Sequence, residues 1–265
     1  MLLSWMRARR RRAIADRPFP GAWHDILRRG VKQAQWLDDG ERERLQRWIT
    51  VFVAEKRFEG CQGLEVTDEV RVTIAGQAAL VALGFDDEWF DALRSVLVYP
   101  GDYLVPRSTP LEGGGELEWQ EARVGETWSG GSMVLSWPGV MDGGRLRDGA
   151  RSVVIHECAH LMDALDGDID GIPPLPAKDR RNWIDGMAAS RTRFEEALDD
   201  GRSTAFDDYA AESDAEFFAV ASECFFQDPH RLARHDRELY GLLMAVWRQD
   251  PKHRVPINPA RVRGE

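Results

Sequence analysis

Cysteine is scarce in this sequence, and that scarcity is informative. The three thiols, Cys61, Cys158 and Cys224, are odd in number and far apart, which argues against a disulfide framework and for a reducing, cytoplasmic compartment. Long hydrophobic runs are missing as well. Nothing approaches the roughly 18 to 20 apolar residues that a membrane span needs. The opening "MLLSWM" is too short for the core of a secretory signal and lies on the wrong side of the arginines that follow it. Basic charge is in deficit, with 35 Lys and Arg against 45 Asp and Glu and a formal net charge of −10. Such a chain lacks the continuous cationic surface that displaces counterions from phosphates, so nucleic acid is excluded as its main ligand. Neither nucleic acid nor a membrane is expected as a main partner. Internal repeats and low-complexity tracts are absent too.

What is present points to one sizeable core. Hydrophobic residues make up 43% of the 265 positions, and ten tryptophans supply large pieces for packing. The expected organisation is a basic N-terminal arm over 1–20, a single domain over 21–254 and a flexible tail over 255–265. Positive charge concentrates at one place only, where Arg7, Arg9, Arg10, Arg11 and Arg12 fall within six residues. This segment reads as a solvated arm or helix face, the alternative being a patch for an acidic partner or a membrane surface.

Apolar spacing of three and four predicts amphipathic helices over 22–37 and 38–58, and another from Val70 onward behind an N-cap at Thr67. Short β-branched and aromatic runs then follow between Gly and Pro: "SVLVYPG", "YLVPRS", "ARVGETW" and "SMVLSWPG". They predict a small sheet, with "LEGGGELE" as a hairpin connection. Helical patterns resume through "VVIHECAHLMDALDG", "DRRNWIDGMAASRTRFEEALDDG", "DAEFFAVASECFFQD" and "RELYGLLMAVWRQD". Helices, a compact mixed sheet and helices again make the fold class α+β.

The chemistry concentrates at His156, Glu157 and His160, an H-E-x-x-H pattern. At about 100° per residue, a four-residue step brings the second imidazole to within roughly 40° of the first, one turn along, so both can converge on one Zn²⁺. Glu157 sits about 100° around the helix, where a carboxylate reaches a metal-bound water and suits the role of general base. The flanks Val153, Val154, Ile155, Cys158, Ala159, Leu161, Met162 and Leu165 are apolar, so the helix is expected to be buried. Two histidines and a glutamate in such surroundings are unfavourable unless a cation pairs with them. With six histidines in the chain, this pattern arises by chance on the order of once in a hundred sequences.

A catalytic zinc needs a third protein ligand and an open position. The metzincin extension fails, because Asp163 and Asp166 stand where Gly and His are required; Asp166 remains an alternative carboxylate ligand. A stronger candidate is Glu216 in "YAAESDAEFFAVASECFF", which borders an apolar stripe and so points inward. Ser213 and Glu216 also form a capping-box pattern, in which Glu216 would bond its own helix terminus. Glu212 and Glu223 are rivals one or two turns away. Cys158 faces away from His156 and reads as core, and neither Gly130-Gly131-Ser132 nor Gly113 to Gly115 has the context of a nucleophile elbow or phosphate loop. The Asp-rich "LDGDIDG" lacks the ligand ladder of an EF-hand; Asp163 or Asp166 there is expected to orient a zinc-bound histidine.

Beyond the HExxH segment, "RFEGCQGLEVTDEVRVTIAGQAALVALG", "LRSVLVYPGDY", "GSMVLSWPGV", "YAAESDAEFFAVASECFF" and "LYGLLMAVWRQDP" occur in this order. The chain thereby resembles the Mlc titration factor A family of zinc-dependent peptidases over most of its length. The resemblance implies His156, His160 and Glu216 as zinc ligands, Glu157 as catalytic base and Tyr209 as a hydroxyl donor to the tetrahedral intermediate. In a continuous helix Tyr209 would stand about 10 Å from Glu216 along the axis, but a cap at Ser213 would leave it in a loop free to bend back. The implied fold is a zincin-like core, similar to the catalytic domain of anthrax lethal factor, in which an extended peptide pairs with an edge strand beside the active helix. Ser132 to Trp137 is the strand expected to do this. Two functions follow as expectations. One is a zinc metallopeptidase, aminopeptidase-like on small substrates. The other is a regulatory protein that sequesters a glucose repressor of the Mlc type, with zinc structural or accessory.

Overall fold

Helices begin where the sequence supplies a cap. In the computed structural model, which describes residues 2–85, 90–101, 103–110, 116–123, 125–128, 131–146 and 151–257, Asp38, Thr67, Ser136, Ser152, Ser213, Asp228 and Asp236 each accept a backbone N–H from the first turn they precede. Residues 258–265 of the tail, the Gly113–Gly115 loop and Gly130 lie outside the described residues.

The first layer is helical: α1 (Leu2–Ala15), α2 (Gly21–Gly30), a 3₁₀ turn (Lys32–Trp36) and α3 (Asp39–Glu55). The helix expected over 22–37 breaks at Gly30, where the close approach of Thr73 leaves no room for a Cβ. Helix α3 stops at Glu55, short of Phe58, because Arg57–Gly60 forms strand β1, whose parallel pairing with β2 overrides the helical pattern. Helix α1 packs on α3. Arg11, one of the arginines read as solvated, is only 5% exposed and bonds Glu55 and Asp91.

Helix α4 (Asp68–Ala82) is buried along almost its whole length and packs against α2 and α3. The sheet follows, with β2 (Ser95–Tyr99), β3 (Tyr103–Pro110), β4 (Glu116–Arg123), β5 (Gly125–Trp128) and β6 (Ser132–Ser136). Strands β3 and β4 pair antiparallel as a separate two-stranded ribbon. The main sheet runs β1-β2-β6-β5, parallel across β1, β2 and β6 and antiparallel between β6 and β5. The mixed α+β architecture is therefore observed. The expectation that Ser132 to Trp137 forms the edge is corrected: β6 lies between β2 and β5, and β5 takes the edge. The reason is legible in burial, since Met133 through Ser136 are all buried, as in a strand flanked on both sides.

Strand β6 passes into α5 (Trp137–Arg145), an element not anticipated between the sheet and the motif helix. Gly144 of α5 lies so close to the Gly30 carbonyl that a Cβ would overlap it, which locks α5 to α2. Then come α6 (Val153–Asp163), a 3₁₀ turn (Ala164–Asp166), α7 (Ala177–Asp199), a second such turn (Asp208–Ala211), α8 (Asp214–Gln227), α9 (Pro229–His235), α10 (Arg237–Trp247) and a last turn (Pro251–His253). Helix α9 was also unanticipated; its Pro229 at the first turn follows the Asp228 cap. Helix α8 forms the spine of this half. Phe218 stacks on Trp247 and meets the edge of Trp183, tying α8 to α10 and α7.

Candidate metal centre

Helix α6 is held from several sides, packing on α8, α4, α5, β5 and β6. Val154, Ile155, Cys158 and Ala159 are fully buried, so the rotation of the helix is fixed by apolar packing. Cys158 belongs to this core, where burial pushes its thiol well above the usual range. The same rotation directs His156 and His160 toward α8, with side chains 14% and 12% exposed.

The histidines meet Glu216 there. His156 Nε2 lies 3.1 Å from His160 Nε2 and 3.1 Å from Glu216 Oε2, while His160 Nε2 lies 3.6 Å from Glu216 Oε1. Among the described residues, these three alone form a group of ligand side chains close enough to share an ion. A tetrahedral zinc with bonds near 2.0–2.1 Å requires donor separations of about 3.3 Å, and the observed edges bracket that value. The bonding pattern agrees. Glu216 Oε2 is buried and has no partner other than the ring nitrogen 3.1 Å away.

Electrostatics point the same way. Burial alone would lower the pKa of His156, but Glu216 and Glu223 outweigh it and raise it well above the ordinary value. Burial alone would raise Glu216, but His156 and His160 hold it well below the usual carboxylate range. The pocket between α6 and α8 thus favours positive charge at the point where the three side chains converge.

Behind His156 runs a polar string. Its Nδ1 is 2.8 Å from Glu223 Oε1, Glu223 Oε2 accepts the Ser152 backbone N–H at 2.5 Å, and Ser152 Oγ donates to Gln77 Oε1 at 3.0 Å. Gln77 Nε2 in turn donates to the Val140 carbonyl. Glu223 is only 6% exposed and Ser152 and Gln77 1% each, so the string is a buried brace linking α4, α5, α6 and α8 to one imidazole. Glu223, a rival ligand in the sequence, thus supports a histidine from behind. The signal was available: Glu216 and Glu223 are seven residues apart, two helical turns, and face the same side of α8.

Asp163 and Asp166, the residues expected to orient a histidine, make no hydrogen bond to one among the described residues, although the charge of His160 acts on Asp163. Asp163 is fully buried and accepts Gly171 N–H, with burial raising its pKa to about 6. It fastens the loop after α6, whose Gly171 adopts φ +78° against the start of α8. Asp166 turns toward Arg180 at 3.8 Å, and Glu212 is exposed. Neither joins the cluster. Ser213 caps α8 and accepts Glu216 N–H at 3.1 Å. Tyr209 lies in the 3₁₀ turn ahead of it, its ring 6.2 Å from that of His156. Glu157 is 1% exposed, and its charge contributes to raising His156.

Comparison with known proteins accords with this centre. A protein of Synechocystis sp. described as uncharacterized is 32% identical over 245 residues, covering 91% of this chain and 89% of its own. Proteins named Mlc titration factor A from Yersinia pestis and Yersinia pseudotuberculosis are 30% identical over 238 residues, covering 88% of this chain and 86% of theirs. Residues 5–248 match the family model described as glucose-regulated metallo-peptidase M90, and the chain belongs to that family.

Proposed function

We propose that this chain is a zinc-dependent metallopeptidase with a zincin-like core, aminopeptidase-like on small substrates, in which His156, His160 and Glu216 hold the ion. The observation that carries the reading is the convergence of the His156 and His160 Nε2 atoms, 3.1 Å apart, on the Glu216 carboxylate, whose two oxygens lie 3.1 Å from the first and 3.6 Å from the second. Zinc, when bound, supplies Lewis acidity to the scissile carbonyl and to the attacking water. Glu157 accepts the proton of that water and delivers it to the departing amine. The Tyr209 hydroxyl donates a hydrogen bond to the carbonyl oxygen as negative charge gathers on it. Glu223 accepts the Nδ1–H of His156, which fixes the tautomer and leaves Nε2 free to ligate. The substrate backbone adds to β5, the antiparallel edge of the sheet that packs beside α6.

Glu157→Gln tests the assignment. Metal content stays unchanged while hydrolysis of an aminoacyl p-nitroanilide falls by about 10²–10⁴-fold. Unchanged hydrolysis rejects Glu157 as the base.

A second reading, capture of a glucose repressor of the Mlc type, rests on the name of the Yersinia relatives. A pull-down with His156→Ala separates the two, because sequestration without catalysis survives loss of the metal.

A further inference from the structure

We propose that α1 is a docking helix for an anionic lipid surface, a role independent of the peptidase reading. The five arginines of Leu2–Ala15 are accompanied by no acidic residue, in a chain whose 45 acidic groups outnumber 35 basic ones. Charge is therefore segregated, with α1 as the cationic end of an acidic protein. The helix divides into two faces. Arg11 and Ile14, three residues apart, turn inward: Ile14 is buried and Arg11 bonds Glu55 and Asp91, while Arg7, exposed at the margin of this face, also bonds Asp91. These contacts hold α1 on α3 as a fixed platform.

The exposed surface of the helix carries Trp5 and Met6, each 55% exposed, followed one turn later by Arg9 and Arg10 and then by Arg12. Arg9 lies over the Trp5 ring at 5.6 Å, and Arg12 Nε reaches its own helix at the Ala8 carbonyl. Arg9, Arg10 and Arg12 pair with no carboxylate among the described residues. Large apolar groups in the first turns of the helix, with guanidiniums that pair with no described carboxylate a turn behind, match the demands of a bilayer interface. The tryptophan and methionine enter the headgroup boundary and the arginines meet lipid phosphates. A polyanion without an apolar phase would leave Trp5 and Met6 in water. No described helix is long and apolar enough to cross a membrane, so the association is with the surface, and it revises the expectation of no membrane partner.

The test is co-sedimentation of the full chain with vesicles of phosphatidylcholine alone and of phosphatidylcholine containing about one-third phosphatidylglycerol. Binding is expected only to the anionic vesicles, weakening as salt rises. Replacing Arg9, Arg10 and Arg12 together by Ala is expected to reduce it on the order of 100-fold, and Trp5→Ala with Met6→Ala by about tenfold. All of these side chains are exposed, and circular dichroism with metal content confirms that each variant keeps its fold. Equal partition of the arginine variant and the parent overturns the proposal, as does absence of binding. Loss with the arginine variant but none with Trp5→Ala and Met6→Ala also overturns it, assigning the helix to an acidic macromolecule instead.

Discussion

Two helices of this chain open with the same four-residue pattern and use it differently. At α3, Asp38 accepts Glu41 N–H at 2.7 Å and Glu41 Oε2 accepts Asp38 N–H at 3.3 Å, closing a capping box. At α8, Ser213 accepts Glu216 N–H at 3.1 Å, yet the Glu216 carboxylate turns away to His156 and His160. The difference lies in the surroundings. Glu41 stands near the surface, with Arg254 as its other partner at 2.6 Å. Glu216 faces a buried helix carrying two imidazoles. A carboxylate gives up a local bond only where something stronger claims it, so the half-used box marks the centre.

The largest effect that sharpens this contrast is expected from Glu216→Ala. Metal content, read by mass spectrometry of the purified protein, falls from one ion per chain to none, and hydrolysis goes with it. The matching change Glu41→Ala leaves both intact. Retention of the ion in Glu216→Ala would transfer the third ligand to Asp166, Glu212 or Glu223 and dissolve the contrast.

A smaller effect is expected one step behind the ligands. Glu223→Gln keeps the shape of the brace but weakens the acceptor for His156 Nδ1 and for the Ser152 N–H. Zinc affinity, measured by competition with a chelator, falls about 10- to 100-fold, as for other groups that orient a ligating histidine. No comparable loss follows Asp163→Asn, because that carboxylate fastens Gly171 rather than an imidazole. A larger loss there than at Glu223 would reverse the assignment of the brace.

How much of this was legible in the sequence depends on the range of the interactions involved. Caps at Thr67 and Ser213 are local, and both were readable. The HExxH geometry is local too, since one helical turn places both rings. Glu216 was reachable from its apolar stripe, but only against the competing box, and spacing alone could not decide between them. What escaped depends on distant chain segments. Strand β1 exists because β2 pairs with it, and β6 became interior because β5 folds back on it. Glu223 acquired its role from Ser152 and His156, far away in sequence. Arg11 was hidden for the same reason, its partners Glu55 and Asp91 being supplied by other elements.

The smallest effect isolates the two caps themselves. Asp38→Ala and Ser213→Ala each remove a side-chain acceptor from a helix N-terminus and are expected to destabilise the metal-free protein by about 1 kcal/mol in urea unfolding. The second partner separates them. In a double-mutant cycle, Asp38→Ala and Glu41→Gln couple by about 0.5 kcal/mol, because the two side chains close one reciprocal motif. Ser213→Ala and Glu216→Gln do not couple through the cap, since Glu216 makes no return bond to the Ser213 backbone. Equal coupling at both helices would mean that Glu216 swings to its own terminus whenever the ion is absent. The centre would then be assembled by the metal instead of waiting for it.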